Sequence, residues 1–248
     1  MNLSNAAEIR IAILKTGTTY PELKERFGDF DTWFLAHLDI PKLSVTVLDV
    51  TQGAPTSQPT DWDGVFVTGS PAMVSDKEPW SEATSRWLGN AVKEGIPIFG
   101  VCYGHQLLAH ATGGLVGYHP KGRETGTHTV ELRDAAMSDP LFRDLPRSFP
   151  AHLTHKQSVL DLPENAVLLA YNAFEPHEAF RIGECAWGVQ FHPEFSEEIM
   201  GTYLSVQAPE LEQENLSPGT LMDNIQKTPD ASSLLVRFVE FVRECSQK

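Results

Sequence analysis

Four short, almost unbroken apolar runs punctuate the first hundred residues: Ile9 to Leu14, Val45 to Val50, Gly64 to Thr68 and Ile96 to Val101. A strand with one face in water alternates apolar and polar residues, because successive side chains point to opposite sides. A strand that does not alternate has both faces covered, as in a parallel sheet packed between helices. The segments between the runs supply the helices. Glu22 to Leu38 carries Leu23, Phe27, Phe30, Phe34 and Leu38 at spacings of three and four, and Trp80 to Lys93 carries Trp80, Ala83, Trp87, Ala91 and Val92 before Gly95. Leu107 to Ala111 is a shorter helical candidate that stops at Gly113-Gly114. This alternation predicts an α/β fold with a doubly wound, mostly parallel, flavodoxin-like sheet flanked by helices.

Beyond Gly114 the pattern changes. Thr127 to Leu132, Ala166 to Tyr171, Ala179 to Ile182 and Ala186 to Phe191 read as strands with polar links, an antiparallel edge on the same sheet. Gln207 to Pro229 is polar, contains three prolines and reads as a loop or lid. The last segment is an amphipathic helix with Asp230 as its expected N-cap and Leu234, Leu235, Phe238, Val239, Phe241 and Val242 as its buried stripe. The expected organisation is one domain over 1–248, with a core over about 9–204 and a lid-like segment and helix over 205–248.

The net charge of −14, from 19 basic and 33 acidic residues, excludes general affinity for nucleic acid or an anionic membrane, since both require a basic surface. No segment approaches the roughly 18 apolar residues of a membrane span. The three cysteines, Cys102, Cys185 and Cys245, show no CxxC pairing and so suggest neither a disulfide framework nor a cysteine-rich metal site. A cytoplasmic protein without metal or cofactor is expected.

The chemistry concentrates at Ile98-Phe99-Gly100-Val101-Cys102-Tyr103-Gly104-His105-Gln106. A buried strand runs straight into a helix, Cys102 sits at the junction, and a glycine lies two residues away on each side. This is the G-x-nucleophile-x-G elbow with cysteine in place of serine. A turn this sharp brings two backbones together, and a Cβ at either glycine would collide. The helix N-terminus favours a thiolate there. Such a nucleophile needs a base, and His192 in Phe191-His192-Pro193-Glu194 is the candidate. Pro193 biases His192 toward extended geometry, which puts Glu194 on the same side to orient the imidazole. Cys102, His192 and Glu194 thus form a predicted nucleophile, general acid/base and orienting carboxylate.

These motifs, with Thr68-Gly69-Ser70-Pro71 after the third apolar run, resemble the class I (triad) glutamine amidotransferases over roughly Ile9 to Phe195. The texture is similar to the amidotransferase domain of GMP synthase and to stand-alone γ-glutamyl peptide hydrolases. The resemblance implies that Cys102 attacks the side-chain amide of glutamine and that backbone N–H groups of Gly69 and Tyr103 hold the oxyanion. It further implies that Ser70 and Gln106 lie against the substrate, and that His155, Lys156 and Gln157 belong to a loop receiving its α-amino and α-carboxylate groups. There the chain carries Lys156-Gln157 where GMP synthases carry Gly-Asp, so the amide donor stays open between glutamine and another γ-glutamyl compound.

Three functions compete: a glutaminase feeding a separate synthase subunit with ammonia, a stand-alone γ-glutamyl peptide or amide hydrolase, and a non-catalytic binding protein on the same fold. Neither a phosphate-binding loop nor room for a second catalytic domain follows Phe195. Assembly into a homo-oligomer is left open by the sequence. Lys121-Gly122-Arg123 is a small basic turn that reads first as a solvated loop and second as a contact for an acidic partner or substrate, and His105 reads as a packing or capping residue.

Overall fold

The computed structural model describes residues 8–247, so the ends of the expected 1–248 unit lie outside the described residues. The chain runs through β1 (Ile9–Lys15), α1 (Pro21–Phe27), α2 (Phe30–Ala36), β2 (Leu43–Asp49), β3 (Gly64–Val67), α3 (Pro79–Lys93), β4 (Ile98–Val101) and α4 (Tyr103–Ala111). It continues through β5 (Leu115–Tyr118), β6 (Glu124–Leu132), β7 (Ser148–His155), β8 (Gln157–Asp161), β9 (Ala166–Tyr171), β10 (Ala179–Ile182) and β11 (Ala186–Val189). It ends in α5 (Glu197–Gln213), α6 (Pro218–Asp223) and α7 (Pro229–Cys245).

The main sheet has the order β2-β1-β3-β4-β11-β10-β9-β6-β7. Its pairings are parallel from β2 to β11 and antiparallel from β11 to β7. The mostly parallel sheet with an antiparallel edge matches the expected fold class. The unbroken apolar runs are buried for the reason inferred: Ile9, Ile11 and Ile13 enter the core on the α2–α7 face, while Ala12 and Leu14 enter the one under α3 and α4. Strand order reverses around β1, and ligands of such sheets bind beyond the carboxyl ends of the strands at that switch. β1, β3 and β4 there deliver Thr16, Gly69 and Cys102 in turn.

Several expectations need correction. The single helix over Glu22 to Leu38 is two helices, α1 and α2. Gly28 breaks it at φ +80°, where a Cβ would lie 2.8 Å from the Thr32 side chain, and the Asp29 carboxylate caps α2 by accepting from the Phe30 N–H. Gln207 to Pro229 is largely helical rather than a loop. Pro218 and Pro229 each begin a helix, where a missing N–H costs nothing, and Pro209 lies inside α5. The boundary at 204/205 therefore cuts through α5. Thr228, not Asp230, is the N-cap of α7; Asp230 sits in its first turn. Strands β5, β7 and β8 were not anticipated. Among the described residues, no helix is long and apolar enough to cross a membrane.

His105 and His152 are fully buried. Burial pushes His105 down to about 3 and His152 down to about 4, from an ordinary 6.5. The unfolded chain takes up protons below pH 6.5 that the folded chain refuses, so their contribution is complete above that pH and is lost as pH falls toward 4. Each should remove about 2 kcal/mol between pH 7 and pH 5. Urea midpoints at the two pH values test this. The drop should shrink in His152→Gln, and an equal drop in that variant would contradict the assignment.

Candidate active site

β4 delivers its last residue to a tight junction, and Cys102 stands there at φ 51°, ψ −99°. Such a backbone costs a non-glycine residue on the order of 1–3 kcal/mol and persists only where its surroundings enforce it. Here the Cys102 N–H donates to the Val189 carbonyl of β11 at 2.8 Å, and the Cys102 carbonyl accepts from Gln106 N–H at 3.1 Å. The flanking glycines are required by close backbone approach. A Cβ on Gly100 would lie 2.5 Å from the Gly104 carbonyl oxygen, and one on Gly104 would lie 2.5 Å from the Val67 carbonyl oxygen of β3. Gly104 therefore serves packing of α4 onto a neighbouring strand as well as the turn.

Tyr103 opens α4, so its N–H is among those a helix leaves without an internal partner. Its hydroxyl bonds Ser81 at 2.6 Å and its ring stacks on Trp80. Burial pushes this phenol up to about 12.

His192 follows β11 and is buried with Glu194. Its Nδ1 lies 2.8 Å from Glu194 Oε1, its backbone N–H donates to the His152 carbonyl at 2.8 Å, and its ring stacks on Phe195 at 4.0 Å. Nε2 has no oxygen or nitrogen partner, and the Cys102 sulfur acts on the ring electrostatically. Burial opposes the imidazolium, but the Glu194 charge, the Cys102 sulfur and hydrogen bonds to both outweigh it and push His192 up to about 10. Gly69 closes over this pair: a Cβ there would lie 3.0 Å from His192 Cε1 and 3.8 Å from Cys102 Cβ.

The sulfur opens into a cavity of about 380 Å³. Cys102, Tyr103 and His192 line it together with Ser70, Gln106, His155, Lys156 and Gln157, while Gly69 lies against His192 and Cys102, and Glu194 bonds His192. Most of the side chains expected against substrate are already engaged. Ser70 Oγ donates to the Thr16 carbonyl at 2.7 Å and pins the Gly69 loop. Gln106 Nε2 donates to the Gln157 carbonyl at 2.8 Å and to Gln190 Oε1 at 2.9 Å. Both His155 ring nitrogens are used, one on the Gln157 carbonyl and one on Glu124. The Gln157 amide donates to Ser75 Oγ at 2.5 Å. The Thr154 to Ser158 segment is accordingly the end of β7 and the start of β8 joined at Lys156, and its side chains hold the wall.

The sequence reading missed other cavity residues. Arg123, expected in a solvated turn, has a side chain that is 3% exposed, lies in the cavity wall and pairs with Glu210 of α5 and with Glu214 at the C-cap of that helix. Thr19, Tyr20, Tyr203 and Gln207 also line the cavity. None of these belongs to a local motif. The available signal was the Glu210/Glu214 spacing of four on a helix, which the prolines concealed.

Two outcomes follow. Glu194→Gln removes the main charge supporting the imidazolium, so His192 should titrate clearly below 10 in an imidazole NMR titration; a value still near 10 would exclude Glu194 as its source. Gly104→Ala should lose about 3 kcal/mol or more, or fail to fold, because its Cβ meets a backbone carbonyl that cannot yield; a melting point unchanged from wild type would refute the contact.

The model of the class-I glutamine amidotransferase family matches residues 30–207. A glutamine-hydrolysing GMP synthase from Thermosipho africanus is 34% identical over 148 residues, covering 57% of this chain and 27% of that protein. The chain thus spans about a quarter of the length of that relative. One subunit of a glutamine-hydrolysing GMP synthase from Methanococcus aeolicus is 31% identical over 163 residues, covering 65% of this chain and 79% of that protein. A glutamine amidotransferase crystal structure from Thermotoga maritima shares the fold, with a TM-score of 0.75 over 96% of this chain and 99% of that one at 21% identity. The chain belongs to the class-I glutamine amidotransferases.

Proposed function

We propose that this chain hydrolyses the γ-amide of glutamine with Cys102, His192 and Glu194 as its catalytic triad. The observation that carries the reading is a buried cysteine on a strained elbow facing a histidine whose far nitrogen is 2.8 Å from a buried carboxylate. The sulfur attacks the γ-carbonyl carbon, and the oxyanion forms against the N–H groups of Gly69 and Tyr103. A donor of this kind is worth about 3 kcal/mol of barrier. His192 gives its proton to the departing nitrogen, so ammonia leaves and a γ-glutamyl thioester remains. The imidazole then takes a proton from water, hydroxide adds to the thioester, and glutamate departs as the sulfur is restored.

The ammonia goes to a separate synthase subunit in this reading, which the likeness to one separately encoded part of a GMP synthase supports. The protein would do this in the cytoplasm. A second reading, hydrolysis of γ-glutamyl peptides or amides, uses the same triad, and the cavity of about 380 Å³ leaves room for a leaving group larger than ammonia.

Glutamate release from glutamine and from γ-glutamyl peptides, wild type against Cys102→Ala, decides the matter. The variant should lose at least about 1,000-fold in kcat. Release that survives Cys102→Ala overturns the nucleophile. Fast peptide turnover without any added synthase selects the second reading, whereas slow glutamine turnover that rises with a synthase selects the first.

A further inference from the structure

Phe195 stacks on two rings at once. Its centroid is 4.0 Å from that of the His192 imidazole, with the planes 22° apart, and 5.0 Å from that of Tyr203, with the planes 17° apart. Local chain geometry makes the first contact. The Phe195 N–H donates to the His192 carbonyl at 3.4 Å, which closes a four-residue turn with Pro193 in its second place, where the fixed φ of proline fits. The turn that sets Glu194 beside the imidazole therefore also folds the Phe195 ring back onto its face. Tertiary contacts fix the second ring. Tyr203 comes from α5, and its hydroxyl bonds Thr19 Oγ1 at 2.7 Å. Burial pushes this phenol up, so it stays un-ionised and keeps that bond. Trp33 of α2 meets both rings edge-on, 5.3 Å from Phe195 and 6.4 Å from Tyr203, and its indole N–H donates to the Phe27 carbonyl at 2.9 Å.

We propose that Phe195, backed by Tyr203, is a positioning residue that holds the plane of the His192 imidazole for proton exchange with the Cys102 sulfur and the departing nitrogen. This rests on the reading that Cys102 and His192 carry out the hydrolysis. Glu194 grips the ring at Nδ1 alone, and a hydrogen bond at one atom tolerates a wide range of ring tilts. Gly69 bounds the Cε1 edge. Phe195 supplies the face, and a flat contact on the face is what stops the tilt. An imidazolium is also attracted to an aromatic face, so the contact persists while His192 is charged. Tyr203 lines the cavity, whereas Phe195 stands outside its lining. A loss at Phe195 therefore acts through His192 and not through contact with substrate.

The test compares Phe195→Leu, which keeps an apolar side chain and removes the ring, with Phe238→Leu as a packing control. Phe238 is also fully buried, on α7, and packs on Phe66 and Phe99 of the sheet. One readout is steady-state hydrolysis of glutamine, or of a γ-glutamyl peptide if that is the faster donor. The other needs no substrate: alkylation of Cys102 by iodoacetamide near neutral pH, followed on the Cys102 peptide by mass spectrometry. Phe195→Leu should lose about 10- to 100-fold in kcat with KM within about two-fold, as expected when a reacting group is slightly misplaced. Its Cys102 should alkylate at least about three-fold more slowly, because a tilted imidazolium no longer supports the thiolate. Phe238→Leu should show neither change. Phe195→Met refills the space without a ring and gives the same reading if Phe195→Leu does not fold. A kcat within two-fold of wild type, or falls in kcat and alkylation no larger than those of Phe238→Leu, overturn the inference. Alkylation that slows in Phe195→Leu, in a protein that hydrolyses neither donor, overturns the catalytic reading alone.

Discussion

The close approach of α4 to the sheet governs this site. Gly100 and Gly104 let the helix begin within van der Waals contact of β3 and β4, so Cys102 has to take a positive φ and stand clear of the sheet. The same approach puts the Tyr103 N–H at a helix start beside the sulfur. Because β4 lies between β3 and β11, the loop after β3 brings Gly69 and the end of β11 brings His192 to that one point. Three segments far apart in sequence are thus positioned by a single run of parallel pairing.

Electrostatics then separates histidines that composition alone cannot tell apart. His105 and His152 are buried without a carboxylate partner and stay neutral, because no buried negative charge offsets desolvation. His192 is buried as completely, yet Glu194 and the Cys102 sulfur hold a proton on it. Burial alone does not decide the charge of a histidine; the sign of its buried neighbours does. The same rule distinguishes Arg123, which tolerates burial because Glu210 and Glu214 neutralise it.

Much of this was legible where the physics is local. Double-sided burial left unbroken apolar runs for β1, β3 and β4, and the elbow glycines reported a contact only two residues away. Gly28 was harder: a helical spacing of apolar residues continues across it, and only the Asp29 cap and the positive φ reveal the break. The prolines of the last third misled the reading, because the same residue that interrupts a helix also starts one, as Pro218 and Pro229 do. Strands β7 and β8 were invisible since Lys156 alone separates them, and polar residues there are buried in hydrogen bonds rather than exposed.

Local pattern was enough to determine the parallel sheet, the nucleophile elbow and the pairing of His192 with Glu194, because each depends on residues within a few positions of one another. Tertiary structure alone decided that Gly69 closes over the pair, that Ser70, Gln157 and His155 build the wall, and that Arg123 meets Glu210 and Glu214 across about ninety residues. Those contacts carry no sequence spacing, since what brings them together is strand order and the docking of α5. The elbow that carries Cys102 is therefore written along the chain, whereas the shape and charge of the cavity around it arise only when the chain closes.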